Sequence, residues 1–346
     1  MARWKDIMDK RFDSVIEKIH EGRRFLVASH VNPEGDAVGS LLGLTLALRS
    51  LGKDVTPYLE DPVPGVYRFL PGADTIVHDL TGRGPFDSVF AVDCGMKDRL
   101  GKALGAFDHG GLLINLDHHA TNNRYGDINV VDAEASATGE VIYDLCMAGG
   151  IEITRDTAVN LYVAIHTDTG SFRYSCTTAS SLVKAGELVK LGVDPGEISM
   201  RVYENYPAVR FRLLALVLAT LDVIDLGGEA DGGDIATLFV TSEMFRETGA
   251  DVDNADGFVN YARSIEGVEV GALFRECPGG EFKVSLRSKS YMDVGAVAMA
   301  LGGGGHARAA GCTLKGSLEE VKERVLGAVR KAMNDGFRSV REGRAK

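Results

Sequence analysis

Residues 24–37 read RFLVASHVNPEGDA, and this stretch decides the fold class. Arg24 to Ser29 is a short β-run. A tight turn follows, carrying His30, Glu34 and Asp36. From Asp36 to Leu51 the chain is an apolar helix, rich in Leu, Ala and small glycines, and Gly52-Lys53 ends it. Strand, turn and helix in this order are the repeating unit of a parallel α/β sheet.

The pattern continues outward. Residues 4–20 have apolar side chains at helical spacing. Asp54 to Tyr58 starts another strand. Ser88 to Asp93 and Leu112 to Asp117 are continuous apolar runs, as expected of strands buried on both faces. Helical patterns follow at about 138–149, 155–167 and 178–191. The segment 195–225 reads as a helical connector, and GGEADGG (227–233) as a loop. Beyond it, β-runs at 234–241, 268–276 and 281–287 mix with helices near 254–265, 293–301 and 317–334. The expected architecture is an N-terminal parallel-sheet domain (1–194), the connector (195–225) and a smaller α+β domain (226–346).

The chain has 346 residues, 45% of them hydrophobic and 25% charged, the balance of a globular protein. No apolar stretch approaches the roughly 20 residues that span a bilayer. The first 20 residues are charged throughout, without an apolar signal core, so a cytoplasmic location is expected and no membrane partner. Five scattered cysteines without CxxC spacing read as reduced thiols. A formal net charge of -11 repels long polyanions and disfavours duplex DNA. A short anionic ligand is compatible with it, since metals and a few arginines offset charge locally. The oligomeric state stays open, a homodimer included.

Three more acidic or imidazole clusters follow apolar runs: Asp93 in FAVDCG, Asp117-His118-His119 in LINLDHHATN, and Asp168 in AIHTDTGSFRY. In an open parallel sheet, ligands gather beyond the carboxyl ends of the strands, and this reading places all four clusters there. Carboxylates mixed with imidazole, without cysteine, favour Mn²⁺ over structural zinc. Two such ions about 3.5–4 Å apart can share a hydroxide that attacks phosphorus in line. Asp93, alone on its strand end, is the natural bridge. Singly, each residue has an ordinary explanation: Asp36 a helix N-cap, Asp168 a turn residue, Asp93 a loop aspartate. Strand alternation would point His118 and His119 apart. In the second domain, Gly302 to Gly305 can bring backbone N–H groups close to an anion, and Arg287 can offer a planar fork to phosphate.

Together these segments resemble the DHH phosphoesterase family, whose label is the triplet Asp117-His118-His119. HVNPEGDAVGS, VDCG, LDHHATNNRYGDINV and TDTGSFRYS carry the match. SLRSK and GGGGHARAAG resemble the associated C-terminal domain. The combination is most similar to the bacterial nano-RNase and pAp-phosphatase subgroup. The resemblance implies two Mn²⁺ (with Mg²⁺ or other divalent ions as substitutes). One would be held by His30, Glu34 and Asp93, the other by Asp36, Asp93, His118 and Asp168. It places His119 beside the phosphate and has Asp117 orient an imidazole. It gives Arg287, Ser288, Gly303, Gly304, Gly305 and His306 the distal phosphate or terminal nucleotide. The family usually has aspartate where this chain has Glu34, whose extra methylene moves the carboxylate outward. The expected activity is hydrolysis of short oligoribonucleotides to mononucleotides, with removal of the 3′-phosphate of pAp. The alternatives are a cyclic-di-AMP or linear dinucleotide phosphodiesterase, a pyrophosphatase or polyphosphatase, and a non-catalytic nucleotide-binding module.

Overall fold

The computed structural model describes residues 2–106, 110–225 and 233–344, and the side chains of these except 2–9, 106, 306 and 334–344. The 227–233 loop therefore lies almost wholly outside the described residues. Two compact units divide the chain, Met1–Asn205 and Tyr206–Lys346. The first runs α1 (Ala2–Glu21), β1 (Arg24–Ala28), α2 (Gly35–Ser50), β2 (Asp54–Tyr58), β3 (Ser88–Val92), α3 (Lys102–Ala106), β4 (Leu112–Asp117) and β5 (Ile128–Val131). It closes with α4 (Thr138–Ala148), α5 (Arg155–Asp168), α6 (Ala179–Lys190) and α7 (Pro195–Tyr203). The second unit runs α8 (Ala208–Leu218), β6 (Asp222–Ile224), β7 (Asp234–Val240), α9 (Ser242–Thr248), α10 (Val259–Arg263), β8 (Val268–Cys277) and β9 (Glu281–Ser288). It ends with α11 (Val294–Ala300), β10 (Gly304–His306), β11 (Ala309–Lys315) and α12 (Leu318–Arg344). Among the described residues, no helix is long and apolar enough to cross a membrane.

The first sheet is wholly parallel, in the order β2-β1-β3-β4-β5. Its central strands β1, β3 and β4 are mostly apolar and buried because both faces are covered. Phe25, Val27, Phe90, Val92, Ile114 and Leu116 enter one core, and Leu26, Ala28, Val89, Ala91 and Leu113 enter another. The strand order reverses between β1 and β3, which opens a crevice at their carboxyl ends. The second sheet, β10-β11-β9-β8-β7-β6, is antiparallel except between β7 and β8.

Segment 195–225 is not one continuous helical connector. It forms α7 and α8, separated by residues 204–207, with Asp222–Ile224 taken into the second sheet. Pro207 accounts for the break, because proline disfavours helical geometry in the residue before it. The boundary between the units falls in the same gap.

One helix crossing positions the functional residues. Gly35, Gly39 and Gly43 recur every four residues and form a bare stripe along α2. A Cβ there would lie 2.3 Å from Thr167 Oγ1, 2.5 Å from the Asn160 carbonyl oxygen and 2.6 Å from Leu161 Cδ2, respectively. The stripe thus lets α5 lie almost directly on the α2 backbone, running the opposite way. That brings the start of α2, with Asp36, to the end of α5, with Asp168.

Candidate metal centre

Each strand end delivers its residues by a different local device. His30 lies two residues beyond β1, and Asp93 directly follows β3. Asp93 adopts a left-handed backbone (φ 53°), which is uncommon for a non-glycine residue and turns its carboxylate back over the strand ends. Asp117 is the last residue of β4, so His118 and His119 lie beyond the pleat. Alternation therefore does not separate them. Their rings meet edge to face at 4.8 Å, and both approach Asp93 Oδ1, at 3.6 and 3.7 Å.

Asp168 is a correction to its expected place at a strand end: it is the last residue of helix α5. The helix itself was read from the sequence, at 155–167; it is buried nearly all round, among α2, α4 and α6. An anion there opposes the partial negative charge of a helix carboxyl terminus, an arrangement that a cation relieves.

The residues meet in overlapping groups: His30 with Glu34 and Asp93, Asp36 with His118 and Asp168, and Asp93 with His118 and His119. His30 Nε2 lies 3.7 Å from Glu34 Oε1 and 3.6 Å from Asp93 Oδ2. His118 Nε2 lies 3.8 Å from Asp36 Oδ2, 3.6 Å from Asp93 Oδ1 and 3.6 Å from Asp168 Oδ2. Atoms each about 2.1 Å from one ion can stand no more than about 4.2 Å apart, and these imidazole–carboxylate distances all fall within that span. His30 Nε2 and Asp93 Oδ2 are buried and have no hydrogen-bond partner. Buried polar atoms normally find partners, and a metal is what this pair fits. Glu34 reaches the first group despite its longer side chain. Its side chain is 61% exposed against 1% for Asp93, so this side of the cluster opens to solvent.

The imidazoles are set with Nε2 inward. His30 Nδ1 is 2.8 Å from the Val31 carbonyl oxygen and His118 Nδ1 is 3.3 Å from that of Ala135, so in both rings Nδ1 donates. The Arg99 guanidinium, 3.1 Å from His30 Nδ1, is then a neighbouring charge and not a donor. His119 Nδ1 donates to Asp117 Oδ1 at 2.7 Å. Asn122 Nδ2 donates to Asp117 Oδ2 and to Asn115 Oδ1, and Asn115 Nδ2 donates to the carbonyls of Ala91 and Cys94. A buried amide network thus fixes the DHH triplet from behind.

Sequence reasoning missed the start of α4. Thr138 N–H donates to Asp36 Oδ2 (2.6 Å) and Gly139 N–H to Asp36 Oδ1 (3.1 Å), while Thr138 Oγ1 donates to Asp93 Oδ1 (3.0 Å). Ser40, one turn further along α2, also donates to Asp36 Oδ1 at 2.7 Å. Asp36 is therefore an N-terminal cap, as one reading allowed, but of α4. Only the i, i+4 spacing of Asp36 and Ser40 was visible in the sequence.

Charge in the cluster is short of a cation. Burial, then the Asp93 carboxylate, raises Asp36 to about 7. Burial also pushes Asp168 far above the carboxylate range, with His118 opposing and Asp36 and Glu34 adding to the rise. Asp93 goes the other way: the surrounding imidazoles of His30, His119 and His118 outweigh burial and hold it ionised. Burial disfavours charge on His118, but Asp168, Asp36 and Asp93 overcome it and lift the ring to about 9. Without metal, protons supply the positive charge.

In the second unit, β9 ends at Ser288, a buried residue whose Oγ donates to the Ala307 carbonyl at 3.4 Å. Cross-strand register sets positions 287, 309 and 306 in one row. The side chain of His306 lies outside the described residues. Gly303 and Gly305 are explained by packing, since a Cβ would stand 2.2 Å from the Gly311 oxygen and 2.5 Å from Ala310 Cα; Gly304 has open space. Of the remaining histidines, His20 is exposed and His109 lies outside the described residues. His78 Nδ1 contacts the Leu59 carbonyl, and His166 stacks on Tyr162.

A parallel sheet with carboxylates and imidazoles that could hold metal at its switch point, followed by a second unit built on a mixed sheet, defines a two-unit class of metal-site proteins. The chain belongs to the DHH family: the DHH family N-terminal domain matches residues 24–165 and the DHHA1 domain matches residues 233–335. It is 38% identical over 309 residues to the bifunctional oligoribonuclease and PAP phosphatase NrnA of Thermus thermophilus, covering 89% of each chain. It is 28% identical to the Bacillus subtilis protein of the same name, covering 82% of this chain and 87% of that one. Among solved structures, an exopolyphosphatase-related protein from Bacteroides fragilis superposes with a TM-score of 0.87 at 26% identity, covering 95% of this chain and 98% of that one.

Proposed function

We propose that the chain is a Mn²⁺-dependent phosphoesterase that hydrolyses short oligoribonucleotides to mononucleotides and removes the 3′-phosphate of pAp. The substrate classes are those named for the Thermus and Bacillus relatives. The observation that carries the reading is Asp93, whose two oxygens face different imidazoles, Oδ2 toward His30 and Oδ1 toward His118. A carboxylate so placed could serve a cation on either side, where the ion would supply Lewis acidity. His30, Glu34 and Asp93 would hold one, and Asp36, Asp93, His118 and Asp168 the other.

Bound divalent ions supply Lewis acidity and a nucleophile at neutral pH. The chain's own residues do the rest. His119, held by Asp117 through Nδ1, offers Nε2 to the phosphate or the leaving oxygen. Arg287, Ser288 and Gly303, Gly304, Gly305 and His306 hold the distal phosphate or terminal nucleotide. The formal net charge of -11 disfavours a long polyanion, so duplex DNA is not proposed as a substrate.

The test is a Mn²⁺-supplemented hydrolysis panel of pAp, pApA, cyclic-di-AMP and pyrophosphate, separated by chromatography. Release of AMP from pApA and pAp is the expected result, and turnover of cyclic-di-AMP or pyrophosphate alone would reassign the substrate. Asp93→Ala and His118→Ala are expected to lose activity by orders of magnitude. Near-normal rates in either would remove the assigned site.

A further inference from the structure

The first turn of α4 reaches beyond its own helix. A capping hydroxyl belongs at the N-cap, where it accepts from the free amides one turn on. That position is Ala137, which has no such group. The threonine sits one residue later, fully buried, with its hydroxyl spent on Asp93 and its amide on Asp36. Gly139 adds a second amide to Asp36. Three donors on two consecutive residues of one helix therefore grip carboxylates that come from two other elements, α2 and the end of β3.

The turn is itself braced. Glu140 is buried and accepts from the Ser136 amide (2.9 Å) and hydroxyl (2.6 Å), from the Ser180 hydroxyl (2.9 Å) and from Lys184 (3.2 Å). Gly139 packs bare against Ala164 of α5, where a Cβ would come within 2.6 Å. Residues 136–140 thus cannot shift without breaking contacts to α5 and α6.

We infer that Thr138 is a positioning residue for the metal centre, its amide and hydroxyl fixing the separation of Asp36 and Asp93 before any cation arrives. The inference rests on the metal reading above. Its weight falls on assembly of the site: a clamped pair of carboxylates needs no reordering to receive an ion, whereas a free pair held apart by repulsion does. Groups that orient metal-ligating carboxylates typically contribute 10–100-fold in metal affinity.

The experiment compares wild type, Thr138→Val and Thr138→Ser. Valine keeps the shape and the amide but removes the hydroxyl, and serine keeps both donors. Mn²⁺ binding to the metal-free protein is measured by calorimetry and by the EPR signal of free Mn²⁺, with circular dichroism to show that each variant is folded. Thr138→Val is expected to bind Mn²⁺ 10–100-fold more weakly, Thr138→Ser within about threefold of wild type. At saturating Mn²⁺ the valine variant should recover most of its turnover with an unchanged KM for pApA. Equal Mn²⁺ affinity in wild type and Thr138→Val overturns the role of Thr138 and leaves the metal centre standing. If wild type itself takes up no Mn²⁺, the metal reading falls, and this inference with it. Should the valine variant not fold, a Mn²⁺ affinity of Thr138→Ser weakened as far as in a ligand variant such as Asp36→Asn would overturn the claim.

Discussion

Substituting Gly39 by alanine tests whether the α2–α5 crossing sets the geometry of the metal centre. The new Cβ would lie 2.5 Å from the Asn160 carbonyl oxygen and 3.0 Å from the Ala164 nitrogen. Both are backbone atoms and cannot swing aside. A carbon–oxygen contact relaxes at about 3.3 Å, so the helices must part by roughly 0.8 Å. Asp36 is one turn back on α2 and Asp168 is at the end of α5, so the strain falls on two arms of one ligand group. A misplacement of about 1 Å in a catalytic constellation costs about 10²-fold in rate.

Stability should change far less. Overpacking costs about 1–3 kcal/mol, and replacing a helical glycine by alanine returns about 1 kcal/mol. The net loss is about 0–2 kcal/mol, a fall of at most about 8 °C in Tm for a unit of this size. Gly186→Ala on α6 is the control: nothing lies within 4 Å of the added carbon, so it should gain about 0.5–1 kcal/mol and keep full activity. The assay pairs thermal denaturation with Mn²⁺ titration and pApA turnover. Wild-type turnover and Mn²⁺ affinity in Gly39→Ala would show that the close crossing does not hold the ligands in place.

Two further outcomes are expected. His118, raised to about 9, and Asp36, raised to about 7, bind protons more tightly in the folded metal-free protein than in the unfolded chain. The stability they contribute is complete below their unfolded values (about 6.5 and 3.8) and is lost as pH rises through about 7 and then 9. Scanning fluorimetry in chelator should therefore show Tm falling from pH 5 to 9, while Mn²⁺, which displaces those protons, binds more tightly over the same range; a flat Tm would contradict the shared-proton picture. Glu34→Asp should tighten Mn²⁺ at the solvent-facing group and raise activity severalfold at limiting metal. A gain from no activity to large activity would instead favour the non-catalytic reading of the native chain.

How much of this was readable depends on where the information sits. The parallel sheet was legible because burial on both faces writes itself as unbroken apolar runs, as in Ser88–Val92 and Leu112–Leu116. His30, Asp93 and the DHH triplet were legible because strand ends follow directly from strands. Asp168 was grouped with the strand-end clusters although residues 155–167 read as a helix, because nothing in the sequence shows that α5 runs antiparallel to α2 and so brings its carboxyl end to the strand ends. Thr138 left no trace at all, because its partners lie 102 and 45 residues away along the chain, and neither separation implies contact. The glycines of α2 fall between these cases. Their spacing is plain in the sequence, but only the Asn160 and Ala164 backbone pressed against Gly39 shows that they were needed to let two carboxylates meet. What sequence conveys poorly is thus the distance between candidate ligands, and that distance decides whether the residues form a centre or remain scattered acids.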